Sequence, residues 1–261
     1  MPNPSQNALE LSMFSCLSDN YGYLIHDPVS GETVAIDTPD ANTILKEAEK
    51  RDWRLTQIWN THWHPDHAGG NEAIKTATGC HISGPQEVAS KLEAPVDNVL
   101  SGGEVFKLGS HDVHVLATPG HTLGHIVYHI PDQNIAFVGD TLFALGCGRM
   151  FEGQPDIFWK SLQKLRDMPD DTKIYCAHEY TQANLAFALS VDPDNPDLQA
   201  YGETINDKRG RGEPTIPATL GTEKRANPFL RADITDMQSR MTGGMDAVAT
   251  FAELRKRKDN F

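Results

Sequence analysis

Apolar positions along the chain are spaced in two ways, and the spacing changes near residue 178. Before that residue, short apolar runs bounded by Gly, Pro, Asn and Asp predict strands, and amphipathic stretches between them predict helices. After it, helical spacing dominates, as in residues 181–191 and 245–258. We therefore predict an α/β fold of the α+β type, with a larger domain over residues 1–178 and a smaller helical domain over residues 179–261.

The predicted elements are short and closely spaced. Strands are expected at residues 9–17, 21–27, 32–37, 55–60, 80–83, 104–108, 112–117, 125–130, 134–138 and 173–177. Helices are expected at residues 38–51, 68–77, 155–167, 181–191, 198–209 and 245–258. A polar stretch follows the predicted strand at residues 80–83 and continues to residue 103. Residues 211–231 are predicted to form a connector rich in Pro and Gly.

One segment between a predicted strand and a predicted helix carries three imidazoles and a carboxylate within six positions. His62 and His64, two residues apart on an extended backbone, can point to the same side and bind one metal ion. Asp66 and His67 follow Pro65, which turns them elsewhere, and they could hold a second ion. A surface turn with chance histidines is the alternative, but the segment lacks Lys and Arg. Since imidazole and carboxylate together suit Zn²⁺ or a neighbouring first-row metal, we predict a metal site.

Three more candidate ligands also lie directly after predicted strands. His121 follows a Pro-Gly pair that bends the chain out of its strand, and His178 follows the last strand. Asp140 follows a glycine at the end of an apolar strand, a position that suits a carboxylate bridging two ions. His125 opens the next strand, and we expect it to hydrogen-bond the backbone rather than bind metal.

The remaining polar candidates are assigned structural roles. Asp37 ends the third strand, where it could orient a metal-bound histidine or cap the following helix, and we prefer capping. The glycine-rich loop at residues 146–153 lacks the spacing of a nucleotide-binding motif. The other histidines have no companions and are expected to be structural: His26, His81, His111, His114 and His129.

Composition and charge exclude several classes of function. The net charge of −13 argues against general binding to nucleic acid or to a membrane surface. No apolar run approaches the roughly 18 residues of a membrane span, and residues 1–10 lack the pattern of a signal peptide. The four cysteines form no CxxC pair, so we expect reduced thiols, two or three of them buried, in a cytoplasmic protein. The basic run at residues 255–258 would ordinarily be a solvated tail, although a small anionic substrate would also use it.

Four motifs, in the order THWHPDH, TPGHT, GDTLF and CAHEY, resemble those of the metallo-β-lactamase superfamily. That resemblance implies an αββα sandwich, with two sheets face to face, helices outside and metals at the sheet edge. The segments GDTLFALGCGRMFEG, AHEYT, ANPFLR and RKRKDNF are similar to those of the glyoxalase II (hydroxyacylglutathione hydrolase) family. This second resemblance covers nearly the whole chain, including the predicted helical domain.

The resemblance to glyoxalase II implies a reaction, a cofactor and roles for the candidate residues. The reaction is hydrolysis of S-D-lactoylglutathione to D-lactate and glutathione by a hydroxide that bridges two divalent ions. Zinc is the expected metal, and iron and manganese are the alternatives. One ion would be held by His62, His64 and His121, and the other by Asp66, His67 and His178, with Asp140 as the bridge. Asp66 and Asp140 are thus the catalytic carboxylates. The glutathione moiety would be contacted by Arg149, Tyr180, Arg255 and Lys258. A tyrosine often occurs where this chain has Phe151, so one hydroxyl contact to the peptide is missing.

Three other functions are compatible with part of the pattern. A glutathione persulfide dioxygenase with one iron shares the histidine motif but, by resemblance, lacks the helical domain. A broad-specificity dinuclear metallohydrolase, such as a lactonase or β-lactamase, would have no reason for the Arg255 and Lys258 pair. A non-catalytic metal-binding module is disfavoured because structural zinc sites are usually closed and single. We therefore expect an enzyme whose partner is a small glutathione thioester. We also expect this enzyme to be a monomer.

Overall fold

The structure, a computed structural model, describes residues 8–261 and contains two compact units. The first unit comprises the chain up to Ala117 together with Gly124–Gly139, and the second comprises Thr118–Leu123 and Asp140–Phe261. Residues 1–7, where we expect no signal peptide, lie outside the described residues. Among the helices of residues 8–261, none combines the length and the apolar character that a membrane span requires.

The first sheet of the first unit has six strands that lie side by side in chain order. They are β1 (Glu10–Cys16), β2 (Asn20–His26), β3 (Thr33–Ile36), β4 (Gln57–Trp59), β5 (His81–Gly84) and β6 (Asn98–Val99). The first three strands pair antiparallel, and the strands from β3 to β6 pair parallel. In this register Leu24 lies opposite Ala35, and Ala35 lies opposite Ile58, so their buried side chains form one apolar face.

Helices cover that apolar face. The helices of the first unit are α1 (Ala41–Lys50), α2 (Pro65–Ala68), α3 (Asn71–Thr78) and α4 (Gln86–Leu92). Ile44 and Ala48 of α1 are one helical turn apart, and with Ile74 of α3 they pack into the same core cluster as the strand residues. Asp40 caps α1 by accepting hydrogen bonds from the backbone N–H groups of the first turn.

A second, antiparallel sheet packs against the first one. Its strands in the first unit are β7 (Val105–Leu108), β8 (His111–Ala117), β9 (Ile126–Ile130) and β10 (Ile135–Gly139). Trp59 of the first sheet lies 5.2 Å from Tyr128 and 5.0 Å from Phe106, measured between ring centroids. Tyr23 similarly lies 5.5 Å from Phe137. The two sheets are therefore face to face, as the αββα prediction requires.

The second unit is mainly helical. Its strands form two short antiparallel pairs, β11 (Leu142–Phe143) with β12 (Gly146–Cys147) and β13 (Lys173–Cys176) with β14 (Ala218–Thr219). Its helices are α5 (Pro155–Arg166), α6 (Thr181–Val191), α7 (Pro196–Gly210), α8 (Leu220–Ala226), α9 (Thr235–Thr242) and α10 (Ala247–Asp259). Part of their apolar core consists of Leu145, Leu185, Leu198 and Ile205. The predicted mixture of strands and helices, followed by a helical C-terminal region, is confirmed.

The predicted strands are all present near their expected bounds, but the structure departs from the predictions at four other places. The helix expected at residues 68–77 is instead two helices, α2 and α3, separated by Gly69 and Gly70. The polar stretch before residue 103 contains α4, and the Pro/Gly-rich connector contains β14 and α8. Helix α9 was not predicted at all. These helices have eight residues or fewer, so they show too few turns for an apolar stripe to be recognised.

Candidate metal centre and substrate cleft

The first four candidate ligands lie just beyond the buried end of β4. His62 and His64 occupy the loop that follows the strand, whereas Asp66 and His67 lie in α2, which begins at Pro65. His62 and His67 are buried, while His64 and Asp66 are partly exposed. The prediction that the cluster sits between a strand end and a helix start is confirmed.

Asp37 fixes the orientation of two of these histidines. Its carboxylate accepts hydrogen bonds from the N–H of Thr61 (2.7 Å), the hydroxyl of Thr61 (2.8 Å) and Nδ1 of His67 (2.8 Å). Because a carboxylate only accepts, Nδ1 of His67 carries the proton and Nε2 carries the lone pair. The Thr61 hydroxyl gives its hydrogen to Asp37, so its oxygen accepts from Nδ1 of His62 at 3.1 Å. His62 therefore also presents the lone pair of Nε2.

The preference for Asp37 as a helix cap was wrong. Asp40, three residues later, caps α1, and Asp37 faces Thr61 and His67 instead. The backbone at Asp37 has a φ of +55°, which turns the chain sharply at the end of β3. This turn directs the carboxylate to the loop after β4. The contacts therefore support the alternative interpretation, in which Asp37 orients a histidine.

The donor atoms of these residues have the spacing that a metal ion requires. Nε2 of His62 lies 2.9 Å from Nδ1 of His64, and Nε2 of His67 lies 3.4 Å from Oδ2 of Asp66. Ligands at 2.0–2.1 Å from a tetrahedral zinc ion are about 3.4 Å apart. Asn20 donates to Oδ2 of Asp66 at 3.0 Å and so helps to fix this carboxylate.

His121 lies in a tight turn after β8. Gly120 precedes it with a φ of +157°, and a Cβ at this position would lie 2.2 Å from the ring of Phe158, so only glycine fits. Nδ1 of His121 lies 2.8 Å from the carbonyl oxygen of Arg149. Since a carbonyl only accepts, Nδ1 donates, and Nε2 presents its lone pair.

Asp140 and His178 complete the candidate set in the second unit. Oδ2 of Asp140 lies 3.4 Å from Nε2 of His121, and Oδ1 of Asp140 lies 3.5 Å from Nε2 of His178. Each carboxylate oxygen thus faces a different histidine. All three side chains are buried, and the parallel ring of Tyr180 stacks on His178 at 4.7 Å.

The histidine and aspartate side chains form groups that are compatible with a dinuclear metal site. Imidazole nitrogen and carboxylate oxygen are donors that zinc, iron and manganese all accept. The candidate ligands of the first unit are His62, His64, Asp66 and His67, and those of the second unit are His121, Asp140 and His178.

A cleft of about 350 Å³ in the second unit brings together the four residues that the resemblance assigns to the substrate. Arg149 and Tyr180 lie on its exposed side, with 63% of the Arg149 side chain accessible. Arg255 and Lys258 come from α10. The cleft is lined by Phe143, Cys147, Arg149, Tyr180, Ala183, Asn184, Arg255 and Lys258.

The basic run at residues 255–258 is part of helix α10, in which Lys256 and Arg257 are exposed, whereas Arg255 is buried and Lys258 is partly buried. Arg255 is only 5% exposed, and its guanidinium donates to the carbonyl oxygen of Cys147 (2.8 Å) and pairs with Asp259 (2.9 Å). The ammonium of Lys258 donates to the carbonyl oxygen of Ala183 at 3.0 Å. Burial, and next the charge of Arg255, lower the pKa of Lys258.

Of the remaining histidines, His111 and His125 are buried, His26 and His129 are partly buried, and His81 and His114 are exposed. His125 is buried, and its ring stacks on that of His62 at 4.9 Å. His111 is also buried and pairs with Asp132, and the ring of His26 stacks on Trp53. All four cysteines are free and buried, where two or three buried thiols were expected.

Comparison with known protein families matches both parts of the chain. Residues 19–178 match the sequence model of the metallo-beta-lactamase superfamily. Residues 179–261 match the model described as the hydroxyacylglutathione hydrolase C-terminus. The two matches together cover almost all of the sequence.

Relatives named hydroxyacylglutathione hydrolase match over the same extent. One from Maricaulis maris is 55% identical over 256 residues, covering 97% of this chain and 99% of that protein. Another, from Erythrobacter litoralis, is 54% identical over 253 residues, covering 97% of this chain and all of that protein (100%).

Solved structures share the fold at low sequence identity. ETHE1 from Myxococcus xanthus has a TM-score of 0.69 and 24% identity, covering 95% of this chain and 90% of that one. A metallo-beta-lactamase from Staphylococcus aureus has a TM-score of 0.66 and 22% identity, covering 97% of this chain and 72% of that one. These likenesses confirm the predicted fold. With the family matches and relatives above, they show that the chain belongs to the hydroxyacylglutathione hydrolase family of the metallo-β-lactamase superfamily.

Proposed function

We propose that this protein hydrolyses S-(2-hydroxyacyl)glutathione thioesters, with S-D-lactoylglutathione as the expected substrate and D-lactate and glutathione as products. The observation that carries the proposal is the cleft lined by Arg149, Tyr180, Arg255 and Lys258, in a chain about half identical to relatives named for this activity. The experiment compares turnover of S-D-lactoylglutathione with turnover of a thioester that lacks the glutathione peptide. The proposal predicts a strong preference for the former.

The charge of the cleft favours an anionic peptide. The chain carries a net charge of −13, yet three of the residues that line this cleft are cationic. The charge of Arg255 lowers the pKa of Lys258 more than the charge of Asp259 raises it, and a substrate carboxylate beside the two cations would reduce their repulsion further. Glutathione carries two carboxylates, and Arg or Lys binds such groups through charge-assisted hydrogen bonds. A lactone or β-lactam hydrolase would not need this arrangement.

The same proposal assigns two divalent ions to the histidine and aspartate groups. His62, His64 and His121 would hold one ion, and Asp66, His67 and His178 the other. Asp140 would bridge them, since its two oxygens face different histidines. Zinc is the expected metal, although iron and manganese accept the same ligands. When bound, two such ions lower the pKa of a bridging water toward neutrality and polarise the thioester carbonyl.

The chain's own side chains would position the reacting groups. Asp37 and the carbonyl oxygen of Arg149 keep the ligand histidines in the tautomer that presents Nε2. Tyr180, stacked on His178, would place the glutathione portion beside the ligand set. Water adds to the thioester carbonyl and the C–S bond breaks, so one acid and one thiol are formed. The thiolate is a good leaving group and needs little help from a general acid.

A cysteine nucleophile is disfavoured by the state of the thiols. Cys147 lines the cleft, but burial raises its pKa to about 11, despite the nearby guanidinium of Arg255. Burial also raises the pKa of Cys176 strongly. Because the thiolate is the nucleophilic form, thiols that stay protonated cannot attack the substrate effectively. Direct hydrolysis by water is therefore the mechanism that we propose.

The proposal extends to the setting of the enzyme. We propose that residues 179–261 form the substrate-binding domain, with the boundary after residue 178. Reduced, buried cysteines support a cytoplasmic location, and the acidic net charge disfavours association with nucleic acid or membranes. We also propose that the protein acts as a monomer.

The proposed bridging role of Asp140 has a direct test. Asp140→Ala should lose at least one metal ion and most of the turnover, because no other carboxylate would join the two half-sites. Asp156→Ala, which alters an exposed aspartate at the start of α5, serves as the control. Metal content and turnover are measured on the same preparations. Full activity in Asp140→Ala would remove the bridging role.

A further inference from the structure

The cleft is lined in part by a two-stranded hairpin that follows Asp140. In this hairpin β11 pairs with β12, so that Leu142 lies opposite Cys147 and Phe143 lies opposite Gly146. Leu145, in the turn, has a φ of +56°, a left-handed conformation that non-glycine residues rarely adopt. Such a conformation persists only where surrounding contacts hold it.

Two buried side chains near α8 provide those contacts. Oε2 of Glu223 accepts a hydrogen bond from the N–H of Leu145 at 2.8 Å. Nδ2 of Asn227 donates to Oε2 of Glu223 (2.9 Å) and to the carbonyl oxygens of Phe143 (3.2 Å) and Gly146 (3.0 Å). Glu223 and Asn227 are both completely buried. We call these two residues the hairpin clamp.

A third side chain holds the same turn from α6. Nδ2 of Asn184 donates to the carbonyl oxygen of Ala144 at 3.0 Å. A Cβ at Gly146 would lie 2.5 Å from this nitrogen, so the close approach of Asn184 requires glycine there. The backbone polar groups of the turn are thus bonded to side chains of the helical region, rather than only to each other.

The burial of Glu223 needs an explanation beyond stability. A carboxyl in an apolar core is costly, and an apolar residue of similar volume would usually stabilise the fold more. Glu223 lies beside the core cluster that contains Leu145 and Ala226. A functional need for its hydrogen bond to the hairpin would explain why a buried carboxyl occupies this position. Phe143 and Cys147 of that hairpin line the cleft.

We propose that Glu223, with Asn227, is a positioning residue for the substrate cleft, because it holds the hairpin in the shape that presents Phe143 and Cys147 to the glutathione portion of the substrate. The inference rests on the proposed thioesterase function and adds to it a residue that contacts neither the substrate nor the candidate ligands. Loss of the clamp should change substrate binding more than the chemical step.

The test compares three variants of Glu223 with the wild type, all as full-length, metal-loaded protein. Glu223→Ala removes the acceptor for Leu145, and Glu223→Asp keeps a carboxyl that is too short to reach it. Both should raise the KM for S-D-lactoylglutathione about tenfold or more, with kcat changed little. Glu223→Gln keeps an acceptor oxygen and should restore the wild-type KM. For a thioester without the glutathione peptide, kcat/KM should be unchanged in all three variants.

A matched control separates positioning from general destabilisation. Asn195 is also a buried polar residue of the helical region, where it caps α7 and donates to the carbonyl oxygen of Arg225, far in sequence from the hairpin. Asn195→Ala should lower the thermal stability but leave the KM unchanged. If Glu223→Ala and Glu223→Asp leave the KM unchanged, or reduce turnover of both thioesters equally, the positioning role is wrong. A rise in KM in Asn195→Ala equal to that in Glu223→Ala would overturn it as well.

Amide hydrogen exchange tests the clamp independently of activity. In Glu223→Ala, exchange in residues 142–148 should become at least about tenfold faster, while Glu223→Gln stays near the wild type. Unchanged exchange in that segment would contradict the clamp. A metal-loaded wild type that does not hydrolyse S-D-lactoylglutathione would instead contradict the proposed function, and the exchange result would still show whether Glu223 holds the hairpin.

Discussion

At the scale of single residues, the carboxylate of Asp37 has the widest effect on the candidate metal centre. It bonds His67 directly and acts on His62 through the hydroxyl of Thr61. The sequence shows that Asp37 ends a strand, and this position allowed two interpretations. Only the turn of the backbone at Asp37 decides between them, because it directs the side chain away from α1 and toward the histidines.

Substitution of Asp37 should weaken metal binding. In Asp37→Asn, which tolerates the left-handed backbone, an amide N–H₂ would face either Nδ1 of His67 or the N–H of Thr61, and both of these need an acceptor. We expect metal affinity to fall about 10- to 100-fold, as measured by competition with a chelator. Asp40→Ala is the control: it removes the cap of α1 and should cost about 1 kcal/mol of stability with unchanged metal affinity. Equal affinities in the wild type and Asp37→Asn would refute the orienting role.

Glu223 should make stability depend on pH. Burial raises its pKa from 4.5 to about 7, against the opposing effects of the Leu145 N–H, Asn227 and Tyr201. As the pH rises from about 4.5 to about 7, the unfolded chain loses this proton first, so the free energy of unfolding falls. The side chain of Glu223→Gln cannot ionise. The free energy of unfolding of this variant, relative to that of the wild type, should therefore be higher at pH 8 than at pH 5, by a change on the order of 3 kcal/mol.

Urea unfolding of metal-loaded protein at pH 5 and pH 8 checks this prediction. Glu203→Gln, which alters an exposed residue of α7, should follow the wild type at both pH values. If the stability difference between Glu223→Gln and the wild type is the same at pH 5 and pH 8, Glu223 does not titrate in this range.

At the scale of elements, α10 shows how one helix serves two purposes. Arg255 faces inward and fixes the hairpin through the carbonyl oxygen of Cys147, with its guanidinium 5.2 Å from the ring of Phe229. Lys258, one turn later, reaches the cleft. The sequence presents both only as part of a basic run, so it does not show that the first is buried and the second accessible.

The two cations should therefore respond differently to substitution. Lys258→Ala should raise the KM for S-D-lactoylglutathione about tenfold, because one charge-assisted hydrogen bond is lost, while thermal stability and metal content stay nearly unchanged. Arg255→Ala should raise the KM and also lower stability, since it leaves buried carbonyl oxygens unpaired. Lys256→Ala, at an exposed position of the same helix, is the control. An unchanged KM in Lys258→Ala would show that this lysine does not bind the substrate.

The elements also show which parts of the fold can be predicted from a pattern. The strands were predicted well because each is a short apolar run bounded by turn residues, and β8 even shows the alternation of buried and exposed positions. Helix α8 was missed because its buried face includes Glu223, which looks solvent-facing in a sequence. The partner of Glu223 in the hairpin lies 78 positions away, and no local pattern reveals a contact over that distance.

At the scale of the whole molecule, the order of the motifs was more informative than any single one. Each candidate ligand lies after a strand or at the helix that follows it, and such positions come together in folds of packed sheets. The strands of the first unit and most helices of the C-terminal region follow from the spacing of apolar residues, whereas the face-to-face packing of the sheets is implied only by the resemblance to the metallo-β-lactamase superfamily. The roles of the individual residues in the cleft cannot be predicted from this spacing, because they depend on which polar side chains are buried.

The most direct test of the proposed function is hydrolysis of S-D-lactoylglutathione by the purified protein, with metal content determined on the same sample. We predict rapid turnover, close to two metal ions per chain, and loss of turnover when a chelator removes them. Absence of turnover in a sample that contains both ions would contradict the thioesterase function. A single bound iron with oxygen uptake on glutathione persulfide would point to the dioxygenase instead.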